Sequence, residues 1–311
     1  MYKMNLGLEI LIPIYHWHIN AELQKKFNES SISDESSISD ESGISDESGI
    51  SELKIDYGKS VGGGKNGLVY VINYTNKGVT HNCCVKLSIY NGERSDLENE
   101  MAFENGEKYE NGENGIGPKV YCYGQFDMYD KKLNFIIMGL YVMDCGKALI
   151  SAIESNIQMD IKYISIEMLK LIDTNVYSNK KCCYDAKPRN YVINYPEGRT
   201  ISNGETFEMK MIDFDPNFCS DCNFSGFGLP FNKELYRCLI ALQLFFMTID
   251  MLFYIVKDTD TDTPAITKKK SIIKYNTITS LLDVYKIYIK AFKSIKDIVK
   301  ENNIKIKINN E

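Results

Sequence analysis

The sequence has few arginines and no excess of positive charge. Only 4 arginines accompany 32 lysines among 311 residues, and the formal net charge is −6. Segment 30–53 contains seven acidic residues and no basic one, so the rest of the chain carries a formal charge of about +1. Because the rest of the chain is near neutral, no overall basic field argues for nucleic acid, and we do not expect a nucleic-acid partner.

Long uninterrupted apolar runs are also missing. The apolar patch at 6–19 is broken by a glutamate, a proline and two histidines, and it lacks the charged start and cleavage site of a signal peptide. Segment 235–256 is almost wholly apolar, but Arg237, Gln243 and Asp250 interrupt it. These interruptions favour a buried helix over a membrane helix. We therefore expect no membrane partner.

The nine cysteines show no regular spacing. That pattern predicts reduced thiols in a cytoplasmic protein rather than a disulfide framework. Cys219 and Cys222 form a single C-x-x-C pair with no second pair at zinc spacing, which favours a structural role for both.

Residues 30–53 consist of four copies of a six-residue repeat, SSISDE, SSISDE, SGISDE and SGISEL. One isoleucine per six residues cannot bury enough apolar surface to offset the loss of chain entropy. We expect a disordered, acidic, serine-rich linker. A phosphorylation tract is the alternative, because several serines stand just before Asp-Glu.

The hydrophobic pattern alternates after the repeat and becomes helical later in the chain. Alternation predicts strands at 68–72, 83–87, 119–123, 135–140 and 207–212. Helices are predicted at 93–110, 147–158, 161–178, 235–256 and within 268–300. The expected fold class is α+β, with a strand-rich first part and a helix-rich second part.

A glycine cluster opens the strand-rich part. The stretch 61–69 reads VGGGKNGLV, in which Gly62, Gly64, Gly67 and Val69 match the pattern G-x-G-x-x-G-x-V. Glycines at these positions permit a tight turn whose backbone amides can approach phosphate groups.

A lysine, Lys86, closes the next apolar strand, 17 residues after Val69. An ammonium group placed there can contact phosphates, and it needs a carboxylate to hold it. The charged helix that follows offers Glu98 and Glu100. We favour Glu100, because Phe103 continues a helical face beyond it.

Two further motifs follow in order. The stretch 182–194, CCYDAKPRNYVIN, places Asp185, Lys187 and Asn190 at the spacing D-x-K-x-x-N before a short β-like run. Asp213 then follows an apolar strand 28 residues after Asp185, and Phe214 comes next. The Asp213-Phe214 pair matches the Asp-Phe-Gly element, whose carboxylate binds the Mg²⁺ that bridges ATP phosphates.

With this order of motifs, residues from about 54 to 256 resemble the eukaryotic-type protein kinase family. The stretches YDAKPRNYVIN and MIDFDPNFC are similar to the compact, divergent kinase-like proteins of giant DNA viruses. The resemblance implies a bilobal fold with a β-rich N-lobe, a helical C-lobe, a hinge near 139–146 and ATP in the cleft. If this protein is viral, as the resemblance implies, the cytoplasm expected for it is that of the host cell.

The expected domains are an N-terminal segment, a linker and two lobes, at 1–29, 30–53, 54–143 and 144–311. By resemblance, Asp185 orients the acceptor hydroxyl and takes its proton, and Lys187 steadies the γ-phosphate. Asn190 and Asp213 hold Mg²⁺, while the glycine cluster, Lys86 and Glu100 bind ATP.

The chain departs from the family at three places. Tyr184 replaces the arginine that receives an activation-loop phosphate, so control by that switch is not expected. Asp215 and Pro216 follow Phe214 where the family has glycine, and the rigid turn predicts that Phe214 stays in one position. No Ala-Pro-Glu follows, and only about 20 residues separate Asp213 from the next apolar helix.

These features favour a serine/threonine protein kinase that transfers the ATP γ-phosphate to a protein hydroxyl. A small-molecule kinase is an alternative, because segment 115–121 resembles choline-kinase-like and aminoglycoside-kinase-like enzymes and the peptide-docking segment is short. A pseudokinase that binds nucleotide or a partner is a third possibility.

Overall fold

The structure, a computed structural model, describes residues 8, 12–34, 52–64, 67–76, 79–110, 115–155, 158–177, 181–194, 207–222, 231–257 and 275–289. The chain divides into two compact units. The first unit comprises residues 1–140 and 214–216, and the second comprises residues 141–213 and 217–311. The mixed α+β class expected from the sequence is confirmed.

The first unit contains a five-stranded antiparallel sheet with the order β1-β2-β3-β5-β4. Its strands are β1 (Glu52–Gly64), β2 (Gly67–Asn76), β3 (Val79–Ile89), β4 (Val120–Met128) and β5 (Lys131–Gly139). The four strands predicted in this region correspond to β2–β5, with ends that agree to within one residue or extend further. Alternating apolar side chains such as Val85, Leu87 and Phe135 are fully buried on this sheet.

Helix α1 (His16–Asp34) covers part of the sheet and contacts β1 and β4. Its residues Ile19, Leu23 and Phe27 join the same buried core as the strand residues. The N-terminal apolar patch therefore belongs to the core of the first unit. The helix also occupies the first residues of the segment predicted to be a disordered linker, and β1 occupies its last two. The remainder of that linker, 35–51, lies outside the described residues.

Helix α2 spans Glu93–Glu110, as predicted. Its buried face is mostly polar, with Ser95, Asn99, Ala102 and Asn105 at helical spacing. Gly106 belongs to the same face: an added Cβ would lie 2.5 Å from the carbonyl oxygen of Pro118. Glycine is therefore needed there for the close approach of the helix to the chain before β4.

The second unit combines short antiparallel strands with helices. Strands β6 (Met143–Asp144), β8 (Tyr191–Asn194) and β9 (Glu208–Met211) form one sheet, and β7 (Lys181–Cys183) pairs with β10 (Cys219–Asp221). The helices are α3 (Cys145–Glu154), α4 (Gln158–Tyr177), α5 (Lys233–Lys257) and α6 (Tyr275–Ile289).

Helix α3 begins two residues earlier than predicted, because Asp144 caps it: the carboxylate accepts a 2.9 Å hydrogen bond from the backbone N–H of Lys147. Helix α5 carries the apolar segment 235–256. Within it, Arg237 donates two hydrogen bonds, of 2.5 and 2.9 Å, to Asp173 of α4.

No helix among the described residues is long and apolar enough to cross a membrane. Of the helical region predicted at 268–300, the structure describes α6 alone.

Candidate functional site

The glycine cluster forms the hairpin between β1 and β2 in the first unit. Gly62 pairs with Val69, and Gly64 pairs with Gly67. An added Cβ on Gly67 would lie 2.6 Å from the carbonyl oxygen of Leu87, whereas an added Cβ on Gly62 would meet nothing within 4 Å. Packing against β3 therefore requires glycine at 67 but not at 62.

Lys86 lies on β3 directly opposite Val69 of the glycine hairpin. Residues directly opposite in antiparallel strands have their side chains on the same face of the sheet. The Lys86 ammonium donates a 2.6 Å hydrogen bond to Oε1 of Glu98, and both side chains are largely buried. The first unit thus presents a lysine–glutamate pair beside the glycine hairpin.

The expected pairing of Lys86 with Glu100 was wrong. Two positions along a helix are about 200° apart around its axis, so Glu98 and Glu100 cannot face the same strand. Glu98 borders the buried face of α2, whereas Glu100 is exposed. The buried positions 95, 99, 102 and 105 fix that face, and none of them is a large apolar residue.

Two buried asparagines hold α2 against β5. Nδ2 of Asn99 donates a 2.8 Å hydrogen bond to Oδ1 of Asn134, and Nδ2 of Asn134 donates a 3.0 Å bond in return. Both side chains are 2% exposed. Because Glu98 directly precedes Asn99, this reciprocal pair fixes the rotation of the helix that brings Glu98 to Lys86.

The short segment 214–216 also belongs to the first unit. Phe214 is buried, and its ring would lie 3.1 Å from a Cβ added to Gly117, so the ring packs directly on that glycine. The next residue, Asp215, is buried and accepts a 2.5 Å hydrogen bond from Arg94 on α2. This ion pair ties the residues after Asp213 to the start of α2.

The motif D-x-K-x-x-N forms a compact loop in the second unit. Nδ2 of Asn190 donates hydrogen bonds to the backbone oxygen and to Oδ2 of Asp185, at 2.9 and 3.0 Å. The ammonium of Lys187 lies 2.6 Å from the same Oδ2. All three predicted side chains therefore meet at one carboxylate. The turn forms locally because Pro188, with its fixed φ, begins the 3₁₀ turn Pro188–Asn190.

A tyrosine from α5 holds the chain that enters this loop. The hydroxyl of Tyr236 accepts a 2.6 Å hydrogen bond from the backbone N–H of Cys183 and donates a 2.7 Å bond to the carbonyl oxygen of Cys183. Burial raises the pKa of Tyr236 well above its usual range, so the phenol stays neutral and can serve both roles. The N–H of Tyr184 donates a 2.7 Å hydrogen bond to the carbonyl oxygen of Phe218.

Asp213 is joined to the loop through the residue before it. The N–H of Ile212 donates a 2.8 Å hydrogen bond to the carbonyl oxygen of Asn190. Asp213 itself has φ of +69°, in the left-handed region that non-glycine residues seldom adopt. Such backbone strain concentrates at functional sites, because it persists only where the surrounding structure imposes it.

The donor set of this unit fits a hard divalent cation. Both bonds from Asn190 to Asp185 use Nδ2, so the amide oxygen is the ligand atom that Asn190 offers, and Asp213 offers a carboxylate. Among the residues that the structure describes, no group of three or more His, Cys, Asp or Glu side chains is arranged to hold a metal. A Mg²⁺ site that phosphate oxygens complete does not need three protein side chains of these types.

Several residues that hold the predicted motifs of each unit in place were not found from the sequence. The Asn99–Asn134 pair, Arg94 and Tyr236 all act through partners that are 35 or more residues away in the chain. The polar face that α2 buries is one indirect sign of such a pair, since buried asparagines are expected to be hydrogen-bonded.

Neither the protein-family models nor the curated proteins compared with this chain match it.

Proposed function

We propose that the protein is an ATP-dependent phosphotransferase with a bilobal kinase-like fold, and that it transfers the γ-phosphate to a serine or threonine hydroxyl of a protein substrate. The observation that carries this proposal is the closed loop of the second unit, in which Lys187 and Asn190 both bond Asp185. The loop is joined through Ile212 to the strained Asp213. A carboxylate for the acceptor, an ammonium for phosphate and two oxygen ligands for Mg²⁺ are thereby held within one short segment.

In this proposal the residues of the second unit perform distinct tasks. Asp185 accepts a hydrogen bond from the acceptor hydroxyl, orients it and takes its proton as the phosphate bond forms. Lys187 would donate to a γ-phosphate oxygen when nucleotide binds, since its ammonium has three donors and its hydrogen bond to Asp185 uses one of them. Asn190 and Asp213 would hold Mg²⁺, which neutralises the charge on the phosphates.

The first unit would contribute the phosphate contacts. The ammonium of Lys86 is fixed by Glu98 and lies beside the glycine hairpin, on the same face of the sheet as Val69. Backbone amides of that hairpin can approach the phosphates closely because glycines line it. Phosphoryl transfer needs little covalent chemistry, so such positioning and charge neutralisation account for most of the catalysis.

One observation favours a small-molecule alcohol or amine as acceptor instead. Strand β10 ends at Asp221 and α5 begins at Lys233, so only residues 222–232 lie between them. A protein kinase uses the corresponding stretch to dock its peptide substrate. This second candidate keeps Asp185 as the catalytic base and changes only the acceptor.

The decisive experiment incubates the purified full chain with γ-³²P-ATP and MgCl₂. Acceptors are a generic protein substrate, and separately choline and an aminoglycoside. We compare the wild type with Asp185→Asn and Lys86→Met, and use Glu100→Gln as the matched control on α2. Label on protein that is lost in both site variants and kept in the control supports the protein kinase.

Label on a small alcohol alone supports the second candidate. ATP that raises the melting temperature of the protein without any transfer in the presence of Mg²⁺ indicates a pseudokinase. Absence of both nucleotide binding and transfer overturns the proposal.

A further inference from the structure

The strand pair β7–β10 brings together four of the nine cysteines, from two stretches of the chain that are 36 residues apart. Cys182 and Cys183 lie on β7, Cys219 lies on β10, and Cys222 follows β10 directly. All nine cysteines of the chain are buried, so no exposed thiol competes with this group for an oxidant.

Within this group, Cys183 and Cys219 are directly opposed. They are Cα partners in the antiparallel register, and their sulfur atoms are 2.8 Å apart. Directly opposed residues in antiparallel strands have Cα atoms roughly 4.5–5.5 Å apart, which falls within the usual range of about 4.4–6.8 Å for disulfides. The backbone therefore already has the separation that a disulfide requires.

The other two thiols have different surroundings. The sulfur of Cys182 donates to the carbonyl oxygen of Ser220 at 3.3 Å, because adjacent residues of a strand point to opposite faces. Burial raises the pKa of Cys222 to about 12, and its sulfur also hydrogen-bonds Cys182. Cys183 and Cys219, by contrast, are directly opposed in the strand register with their sulfur atoms in contact.

We propose that Cys183 and Cys219 are an oxidation site that forms a reversible intrachain disulfide with hydrogen peroxide as the oxidant. One thiol loses its proton and attacks peroxide, giving a sulfenic acid and one water. The second thiol then displaces the sulfenic hydroxyl, which leaves as a second water. Two thiols and one peroxide thus give one disulfide and two waters, and a dithiol reductant reverses the change.

Little rearrangement is needed for this bond. Both backbone groups of Cys183 are already bonded to the hydroxyl of Tyr236, so this side of the bond is held in place before oxidation. Both thiols are nearly buried, with exposed fractions of 5% and 6%. Peroxide therefore reaches them when the three-residue strand pair opens, and oxidation is expected to be slower than for a surface thiol.

The bond would join the chain two residues before Asp185 to the segment that follows residue 216. The proposal does not depend on phosphotransferase activity, because its readout is a covalent bond between two peptides. A failure of transfer therefore leaves it intact, and a failure to form the bond leaves the proposed function intact.

The experiment uses the native full-length chain, treated with hydrogen peroxide and then blocked with N-ethylmaleimide under denaturing conditions. Endoproteinase Asp-N cleaves before Asp215 and Asp221, so it separates the peptide 215–220, with Cys219, from Cys222. Cys182 and Cys183 fall together in the peptide 173–184. Mass spectrometry should find 173–184 linked to 215–220, two hydrogen masses below their sum, and dithiothreitol should release them.

Two matched double variants assign the sulfurs on β7. Cys182→Ser with Cys222→Ser should keep the linked peptide, and Cys183→Ser with Cys219→Ser should lose it. If the second variant is misfolded by circular dichroism, fragmentation of the wild-type linked peptide between 182 and 183 decides the pairing instead. A link to the Cys222 peptide overturns the proposal, as does a link that forms only after the chain is unfolded in urea.

Discussion

Arg94, at the start of helix α2, donates a 2.5 Å hydrogen bond to the carboxylate of Asp215, which is 3% exposed. Asp215 directly follows Phe214, and the ion pair gives its buried carboxylate a charged partner. Together with the packing of Phe214 on Gly117, the ion pair fixes segment 214–216 to the first unit.

Replacing Arg94 with alanine should destabilise the first unit. The buried carboxylate of Asp215 would lose a charged partner, which costs about 1–3 kcal/mol, the lower end applying because Arg94 is partly exposed. Trp17 of α1 is the only tryptophan in the chain, so its fluorescence during urea unfolding reports on this unit.

The exposed pair Lys26–Glu29 of α1 provides the control for that experiment. Lys26→Ala removes a surface ion pair and should leave the unfolding midpoint unchanged. An equal loss in both variants would show that the Arg94–Asp215 pair has no special role.

Glu98→Gln should impair phosphoryl transfer, whereas Glu100→Gln should not. The glutamine keeps the size of Glu98 but removes the charge that holds Lys86. We expect a loss of about 1.5–3 kcal/mol, which is roughly 10–150-fold in kcat/KM for ATP. Steady-state kinetics of both variants test this. Equal kinetics for Glu98→Gln and wild type would contradict a catalytic role for the pair.

The Asn99–Asn134 pair should behave asymmetrically. Asn99→Leu leaves the amide of Asn134 buried without its partner, which costs about 1–3 kcal/mol. The double variant with Asn134→Leu removes both amides and should be less destabilised than the single variant. Tryptophan fluorescence in urea measures both, and additive losses would argue against a reciprocal pair.

Two glycines of the same hairpin should respond differently to alanine. Gly67→Ala places a Cβ 2.6 Å from the carbonyl oxygen of Leu87, so strands β2 and β3 must shift. We expect a loss of about 1–3 kcal/mol in the free energy of unfolding. Gly62→Ala meets open space and should be close to wild type in stability. Similar unfolding midpoints for the two variants would refute this.

Tyr236→Phe should loosen the entry to the Asp185 loop. The phenylalanine fills the same space but leaves the N–H and the carbonyl of Cys183 without their partner, at a cost of about 1–3 kcal/mol. Hydrogen exchange at the amide of Cys183 should accelerate. Tyr184→Phe is the control. It changes an exposed side chain, and the hydrogen bond from the backbone N–H of residue 184 to Phe218 stays in place.

The sequence predicted most of the secondary structure, because the signals for it are local. Alternation predicted strands β2–β5, and the charged, Glu-rich run predicted α2 at its observed ends. The loop at 185–190 was predicted from its D-x-K-x-x-N spacing. The structure shows that its turn is local, because Pro188 and Asn190 act on neighbours within a few residues.

The sequence by itself thus predicted the α+β class, the order of strands β2–β5 with α2 among them, and the short loop around Asp185, but it predicted neither α1 nor β1. Only the tertiary structure decided that Glu98 rather than Glu100 meets Lys86, that Arg94 holds Asp215, and that Cys183 faces Cys219. Each of these depends on how a helix is rotated or how two distant strands are aligned. Those choices are fixed by packing against residues tens of positions away, which no local pattern records.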